Sequence, residues 1–538
     1  MKNYKNLFSF LICSALLTFI GYQASDGSKV NEESPIATSS WEDQIVDAGL
    51  KNSTKPNVIY ILVDDLGYGD VKSLNPDSKI ATPNMDKVVS NGVHFTDAHS
   101  NSSVCTPTRY GLLTGCYAFR TRLQKGVLRG YSAALIEQDQ TTVGTFLKDH
   151  GYETACIGKW HLGLDWPKTD ESKEIEEELY WRTGSNLGNT DDNVDYQKYI
   201  SGGASDHGFD YSLIIPGSLD MSPYLYIRNG YAVEEPTLFT QGKKEKLEGR
   251  GMFWRRGKIS PSFDFKKVLP TVIDSAIYYI HQHARTEAPF FLYLPLPAPH
   301  LPWLPADEFV GTTDVSGYGD YVAMVDAMIG KVVNQIYSDG IEQETLIIIS
   351  SDNGSDWRPS DIKKTGHYAN AQFRGRKADI YEGGHRIPYF AQWEGVIPAG
   401  HQSDELICTT DLLATMAGLL NTTLTNKIGV DSYDLWPAYL ADVKEPIRSS
   451  VIHHSQQGFF SLRKGKWKYT QRLGSGGFSS PSVIQPKEGE ATGTLFDMEV
   501  DPEEKNNLYL QHQDIVLQLD KLLEQQKAQG FTRKITGL

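Results

Sequence analysis

Cysteine is scarce: the 538 residues hold five, Cys13, Cys105, Cys116, Cys156 and Cys408. No CxxC pair or Cys/His spacing is present, which excludes the common zinc frameworks and dithiol redox motifs. Positive charge is also short, 52 Lys and Arg against 67 Asp and Glu, for a net charge of −15. Bulk electrostatic binding of nucleic acid is thereby disfavoured, and an anionic substrate would have to meet cations concentrated locally. After the first residues no apolar run is long enough to span a membrane. What is present is ordinary for a globular chain, 40% hydrophobic and 22% charged residues, at a length that allows a large core and more than one domain.

The opening "MKNYKNLFSFLICSALLTFIGYQAS" reads as a secretory signal over residues 1–24. Lys2 and Lys5 form the basic end, Leu7 to Ile20 an apolar run too short for a comfortable span, and cleavage falls near Ala24. A lipoprotein would need a cysteine after a small residue near the end of that run, whereas Cys13 sits mid-run after Ile12. The expectation is an exported protein, periplasmic or secreted, with no transmembrane anchor. Removing Cys13 leaves four cysteines, so two disulfides fit the arithmetic without fixing a pairing. Residues 25–55, rich in Ser, Asn and Glu, read as an arm or linker.

From residue 56 one design recurs. "PNVIYILVDDLGYGD" is an apolar, β-branched run ending in Asp64 and Asp65. "YETACIGKWHLG" runs into Lys159 and His161, "PFFLYLPLPAPH" into His300, and "ETLIIISSDNGS" into Asp352 and Asn353. Between them lie amphipathic patterns such as "TVGTFLKDHG" and "DYVAMVDAMIGKVVNQIYSDG", each stopping at glycine. Strands alternating with helices predict an α/β sheet, whose functional groups gather beyond the carboxyl ends of the strands. A single acidic strand end is commonly turn punctuation; four strands ending in ionisable or metal-seeking residues point to a site. Past about residue 430 the pattern turns to a hairpin, "VIHHSQQGFFSLRKGKWKYTQRL", another short strand, and a closing amphipathic helix, "QDIVLQLDKLLEQQKAQG". This divides the chain into a larger domain over 56–430 and a smaller antiparallel α+β unit over 431–538.

Asp64, Asp65, Asp352 and Asn353 make an all-oxygen set suited to a hard cation such as Ca²⁺ or Mg²⁺. Arg109, Lys159 and Lys377 lie in glycine-bounded loops and, with a divalent ion, would hold a tetrahedral oxyanion. His161 and His300 are candidates for proton transfer. Cys105 stands just before Thr106-Pro107, and a helix opening at Pro107 would turn its positive amino end on whatever Cys105 carries. That placement suits anion chemistry, a thiolate nucleophile, or a cysteine without a role.

These blocks resemble the type I, formylglycine-dependent sulfatases. "CTPTRYGLLTG" matches the signature that directs oxidation of the cysteine to formylglycine, and "GYETACIGKWH" is similar to the second signature. "DDLG", "PHLPW", "SDNGS", "FRGRKADIYEGGHRIP" and "LFDMEVDPEEKNNL" are similar to further blocks, so the likeness runs from Pro56 to the C-terminus. The resemblance implies an alkaline-phosphatase-like sheet sandwiched by helices, with a small C-terminal domain. It implies Ca²⁺ held by Asp64, Asp65, Asp352, Asn353 and a formylglycine at 105, with Arg109 steadying that residue. Lys159 and Lys377 would grip sulfate oxygens, His300 would protonate the leaving oxygen with help from Lys377, and His161 would take a proton from residue 105. A formylglycine-generating maturation enzyme is an implied partner. Oxidation at 105 would leave Cys116, Cys156 and Cys408 as an odd set.

The texture also resembles secreted carbohydrate sulfatases of marine or gut Bacteroidetes, implying a sulfated oligo- or polysaccharide substrate. An algal polysaccharide such as ulvan or a sulfated galactan is the first expectation, and galactose or N-acetylgalactosamine 6-sulfate of glycosaminoglycans the second. A phosphonate or phosphodiester hydrolase of the same fold and an unmatured carbohydrate-binding relic stay open. Candidate sugar contacts are Arg120, Arg122, Lys125 and Arg129 in "RTRLQKGVLRG", Arg250, Arg255 and Arg256 around Trp254 in "GRGMFWRRGK", and Asp220. Each has a competing reading as a solvated basic loop or, for Asp220, as a turn cap.

Overall fold

Five apolar runs become the parallel centre of one sheet: β1 (Asn57–Asp64), β2 (Glu153–Lys159), β3 (Tyr211–Ile215), β4 (Phe290–Pro299) and β5 (Thr345–Ser351). Their spatial order is β5-β1-β4-β2-β3, all parallel. The computed structural model describes residues 55–175, 192–245 and 249–534. The expected signal sequence and all but residue 55 of the expected arm lie outside that range. Beyond β5 the sheet continues through the antiparallel strand Tyr389–Gln392, then Val93–Phe95 and His401–Ser403. Beyond β3 it ends in the short pair Ile227–Arg228 and Tyr231–Ala232.

Strand periodicity distributes the core over two faces. Val58, Tyr60 and Leu62 of β1 join Phe291, Tyr293, Leu346 and Ile348 on one side. Ile59, Ile61 and Val63 join Leu292, Leu294, Ile347 and Ile349 on the other. Helix α1 (Cys105–Thr114) packs Leu112 and Leu113 on the first face. Helices α2 (Val268–His283) and α3 (Ser316–Asp339) bury Val272, Ile273, Val325 and Ile329 on the second. A parallel sheet covered on both faces needs runs apolar at every position rather than alternating ones, and β1 has them.

A second sheet of four antiparallel strands follows: β6 (Ser450–His454), β7 (Phe460–Lys464), β8 (Trp467–Thr470) and β9 (Thr494–Asp497). Helix α4 (Gln513–Ala528) covers it with Val516, Leu519 and Leu523, and Tyr117 and Phe119 from the larger part complete that core. The hairpin expected at "RKGK" is the β7–β8 turn at Gly465. No helix among the described residues is long and apolar enough to cross a membrane. Cys105, Cys116, Cys156 and Cys408 are all buried and free, so no disulfide forms among them.

Candidate active site

The carboxyl ends of all five parallel strands converge on one place, the geometry a doubly covered α/β sheet imposes. Asp64 closes β1, and Asp65 follows with a positive φ of 68° that turns it off the strand direction. Such a conformation is costly for a residue with a Cβ and is held here by its neighbours. Asp65 N donates to Asp352 Oδ1 at 3.2 Å, and Asn353 Nδ2 donates to Asp65 Oδ1 at 2.7 Å. Lys159 ends β2 after Gly158, whose φ is 133° and where a Cβ would lie 2.0 Å from Pro295 O, so only glycine lets β2 approach β4 this closely.

Helix α1 begins at Cys105 rather than at Pro107. Proline therefore sits in the first turn, where its missing N–H has no intrahelical partner to lose, and Cys105 itself occupies the amino end. Arg109, one turn on, lies on the same helix face. It is wholly buried and donates through Nη2 and Nε to Asp352 Oδ2 at 2.7 and 3.1 Å, and through Nη1 to Lys159 O at 3.0 Å. Lys159 Nζ donates to Asp64 Oδ2 at 2.6 Å, and Lys377 Nζ to Asp65 Oδ1 at 2.5 Å. Cys105 Sγ lies 3.4 Å from Lys377 Nζ and 3.7 Å from Asp64 Oδ1. Ligand atoms of Asp64, Asp65, Cys105 and Asp352 all fall within 4.8 Å of one another.

Charge explains the protonation states. Burial pushes the Asp64 carboxyl up, but Lys159, His300, Arg109 and Lys377 outweigh it and hold it well below the usual range. Asp352 is raised, by burial and by the neighbouring Asp64 charge. Burial would strip Lys377 of its proton, yet Asp65, Cys105, Asp64 and Asp352 keep it firmly charged. The Cys105 thiol is pushed up to about 12 by burial, against the pull of Lys159 and Lys377. An unmodified Cys105 is thus a neutral thiol and a poor nucleophile at neutral pH.

A metal fits this set. Asn353 Oδ1 is buried with no hydrogen-bond partner, while its amide nitrogen is committed to Asp65 Oδ1 and Gly354 O. A buried acceptor without a donor beside three carboxylates is what a hard cation satisfies.

Each histidine has one ring nitrogen anchored on a backbone carbonyl. His161 Nε2 lies 2.9 Å from the Leu128 carbonyl, which can only accept, so Nε2 carries the hydrogen and the unpartnered Nδ1 carries the lone pair. Burial, then Lys159 and Arg109, hold His161 well below its ordinary pKa, hence neutral. His300 donates Nδ1–H to Leu301 O at 2.6 Å, leaving Nε2 3.8 Å from Asp65 Oδ2.

Both histidines line a cavity of about 640 Å³ with Asp65, Cys105, Lys377 and Asp220. The expected sugar contacts divide. Asp220 is in the wall, ion-paired to Arg255. Arg120 is not: it is locked to Asp431 at 2.8 Å and to the carbonyls of Gln526 and Lys527 near the end of α4. Arg122 is spent on the carbonyls of Ala133 and Ala134. Trp254 faces away, stacked on Phe265 at 4.7 Å with its indole N–H on Thr240. Trp254 pairs with Lys243 in a β-bridge, and extended backbone sends neighbouring side chains to opposite sides. Phe253 and Arg255 therefore face the cavity in its place. Arg250 is tied to Glu245, Asp356 and Asp361.

Phe253 and Ser218 are among the wall residues that the sequence did not single out. Ser218 Oγ is buried, unpartnered and lines the cavity. The signal was there: "YSLIIPGSLD" is a fifth apolar run ending in polar residues.

Residues 56–422 match the family model described as Sulfatase. An N-acetylgalactosamine-6-O-sulfatase of Bacteroides thetaiotaomicron is 29% identical, over 89% of this chain and 94% of the relative. Arylsulfatase A of Bos taurus is 30% identical, over 90% of this chain and 89% of its own. A solved Bacteroides thetaiotaomicron structure, from work on the metabolism of multiple glycosaminoglycans, superposes with a TM-score of 0.75 at 28% identity, covering 88% of this chain and 100% of that one. A family match over most of the chain, relatives aligned nearly end to end, and a buried cluster of carboxylates, lysines and histidines at the strand ends lead to one conclusion: the chain belongs to the sulfatase family and is a sulfuric ester hydrolase.

Proposed function

We propose that the enzyme removes sulfate from a sulfated carbohydrate, using a formylglycine made from Cys105 and a Ca²⁺ held by Asp64, Asp65, Asp352 and Asn353. The observation that carries this reading is the buried Cys105 thiol, unfit to react as it stands yet set at a helix amino end among three carboxylates and two lysines. Cation and aldehyde would together supply a nucleophilic oxygen and the charge that offsets the sulfate. The chain's own residues do the rest. Arg109 fixes Asp352 and the β2 carbonyl, and so the frame around residue 105. Lys159 and Lys377 offer ammonium groups to sulfate oxygens. His300, with Nδ1 anchored, presents Nε2 for protonating the leaving alcohol, and His161 Nδ1 is free to take a proton at residue 105.

Of the two substrate classes, the relative that is an N-acetylgalactosamine-6-O-sulfatase supports 6-sulfated galactose or N-acetylgalactosamine over an algal polysaccharide. The test is sulfate release from a panel of defined sulfated saccharides, with an aryl phosphate as control. Turnover of 6-sulfated N-acetylgalactosamine above the algal oligosaccharides is expected. A preference for ulvan or carrageenan fragments would overturn the substrate assignment, and a preference for the phosphate ester the whole reading.

A further inference from the structure

Asp220 is 5% exposed, yet its Oδ1 has no hydrogen-bond donor. Its other oxygen is taken by Arg255 Nη1, which also donates to the Asp220 carbonyl at 3.1 Å, as does the Arg255 backbone N–H. The carboxylate is therefore clamped in one orientation with one oxygen free. The Arg255 guanidinium lies over the Phe253 ring at 4.9 Å, and all three side chains line the cavity that holds Cys105 and His300. Burial would push the Asp220 carboxyl up, but Arg255 and His300 outweigh it and keep it ionised.

A fixed anionic acceptor beside an aromatic ring matches a saccharide, which offers hydroxyl donors on its rim and C–H groups on its faces. It also discriminates. A neutral hydroxyl satisfies the free oxygen, a ring lacking that hydroxyl leaves it bare, and a sulfate there brings two anions together.

We propose that Asp220, clamped by Arg255 and flanked by Phe253, is a subsite that accepts one unsulfated ring hydroxyl of the sugar being desulfated and rejects a sugar sulfated at that hydroxyl. The subsite rests on the carbohydrate reading above.

The test is kcat/KM for sulfate release by the full-length enzyme from a monosulfated monosaccharide, its deoxy analogues at each remaining hydroxyl, and its doubly sulfated analogues. At one ring position, deoxygenation is expected to lower kcat/KM by about 10- to 100-fold, and a second sulfate to lower it further. Asp220→Ala brings the parent-to-deoxy ratio at that same position towards one, and Asp220→Asn admits the doubly sulfated sugar. Circular dichroism establishes that each variant is folded; should the alanine variant not fold, the wild-type pattern and the asparagine variant decide. Saccharide turnover with no such position, or Asp220→Asn keeping the wild-type exclusion, overturns the subsite alone. Release of sulfate from an aryl sulfate but from no sugar overturns the carbohydrate reading with it.

Discussion

Lys159 Nζ lies 2.6 Å from Asp64 Oδ2, and both side chains are completely buried. Asp64 also has Arg109 at 3.5 Å. Lys159→Ala is expected to lower kcat by about 10²–10³, the usual size for losing one donor to a developing oxyanion. The metal-free protein should also unfold at lower urea, because Asp64 loses its nearest counter-charge and keeps Arg109 at 3.5 Å. Sulfate release and urea unfolding measure the two effects separately.

Removing the cation should be reversible and should not unfold the protein, since Lys377 and Lys159 already face Asp65 and Asp64. A chelator is expected to abolish turnover and lower Tm, with Ca²⁺ restoring both. Asn353→Ala removes the orphaned Oδ1 and should raise the Ca²⁺ concentration needed for half-maximal activity. Full turnover in rigorously metal-free protein would refute the assigned cation site.

Arg120 should separate structure from catalysis. Its guanidinium closes a bidentate pair with the buried Asp431 and ties α4 to the larger part of the chain. Arg120→Ala is expected to cost about 3–5 kcal/mol in urea unfolding, while kcat/KM of the folded fraction stays within about twofold of wild type.

Acid should destabilise the fold through His454. Burial holds this histidine at about 4, far below its ordinary 6.5, so it is neutral in the folded chain. Between pH 6.5 and about 4 the unfolded chain binds a proton that the folded chain refuses. Its contribution is complete above pH 6.5 and is lost as pH falls, by about 3 kcal/mol over the window. The urea midpoint should fall along that range in the wild type and fall less in His454→Gln.

The strand ends were legible because each obeys a local rule: an apolar run too short for a helix, then a polar residue and a turn. Asp64, Asp65, Lys159, His161, His300, Asp352 and Asn353 could all be placed that way, and the sheet then brings them together without further information. Side-chain direction was less legible. Trp254 is an aromatic that could stack on a sugar, but the pairing of its backbone with Lys243 turns it away and puts Phe253 and Arg255 in the wall. Arg120 and Arg122 belonged to an apparently free basic loop because their partners, Asp431 and the carbonyls of Ala133 and Ala134, are set by tertiary folding. Pro107 suggested the start of α1, yet the first turn tolerates proline without beginning there, and Cys105 moved from neighbour of the helix amino end to its first residue.

The central claim is that residue 105 acts only after Cys105 has been oxidised. Mass spectrometry of the tryptic peptide carrying residue 105, from protein whose sulfate release has been measured in parallel, tests it most directly. The account predicts an aldehyde in place of the thiol, in a fraction that tracks specific activity, and no activity in Cys105→Ala. A peptide carrying only the intact thiol, in protein that releases sulfate at full rate, would contradict it.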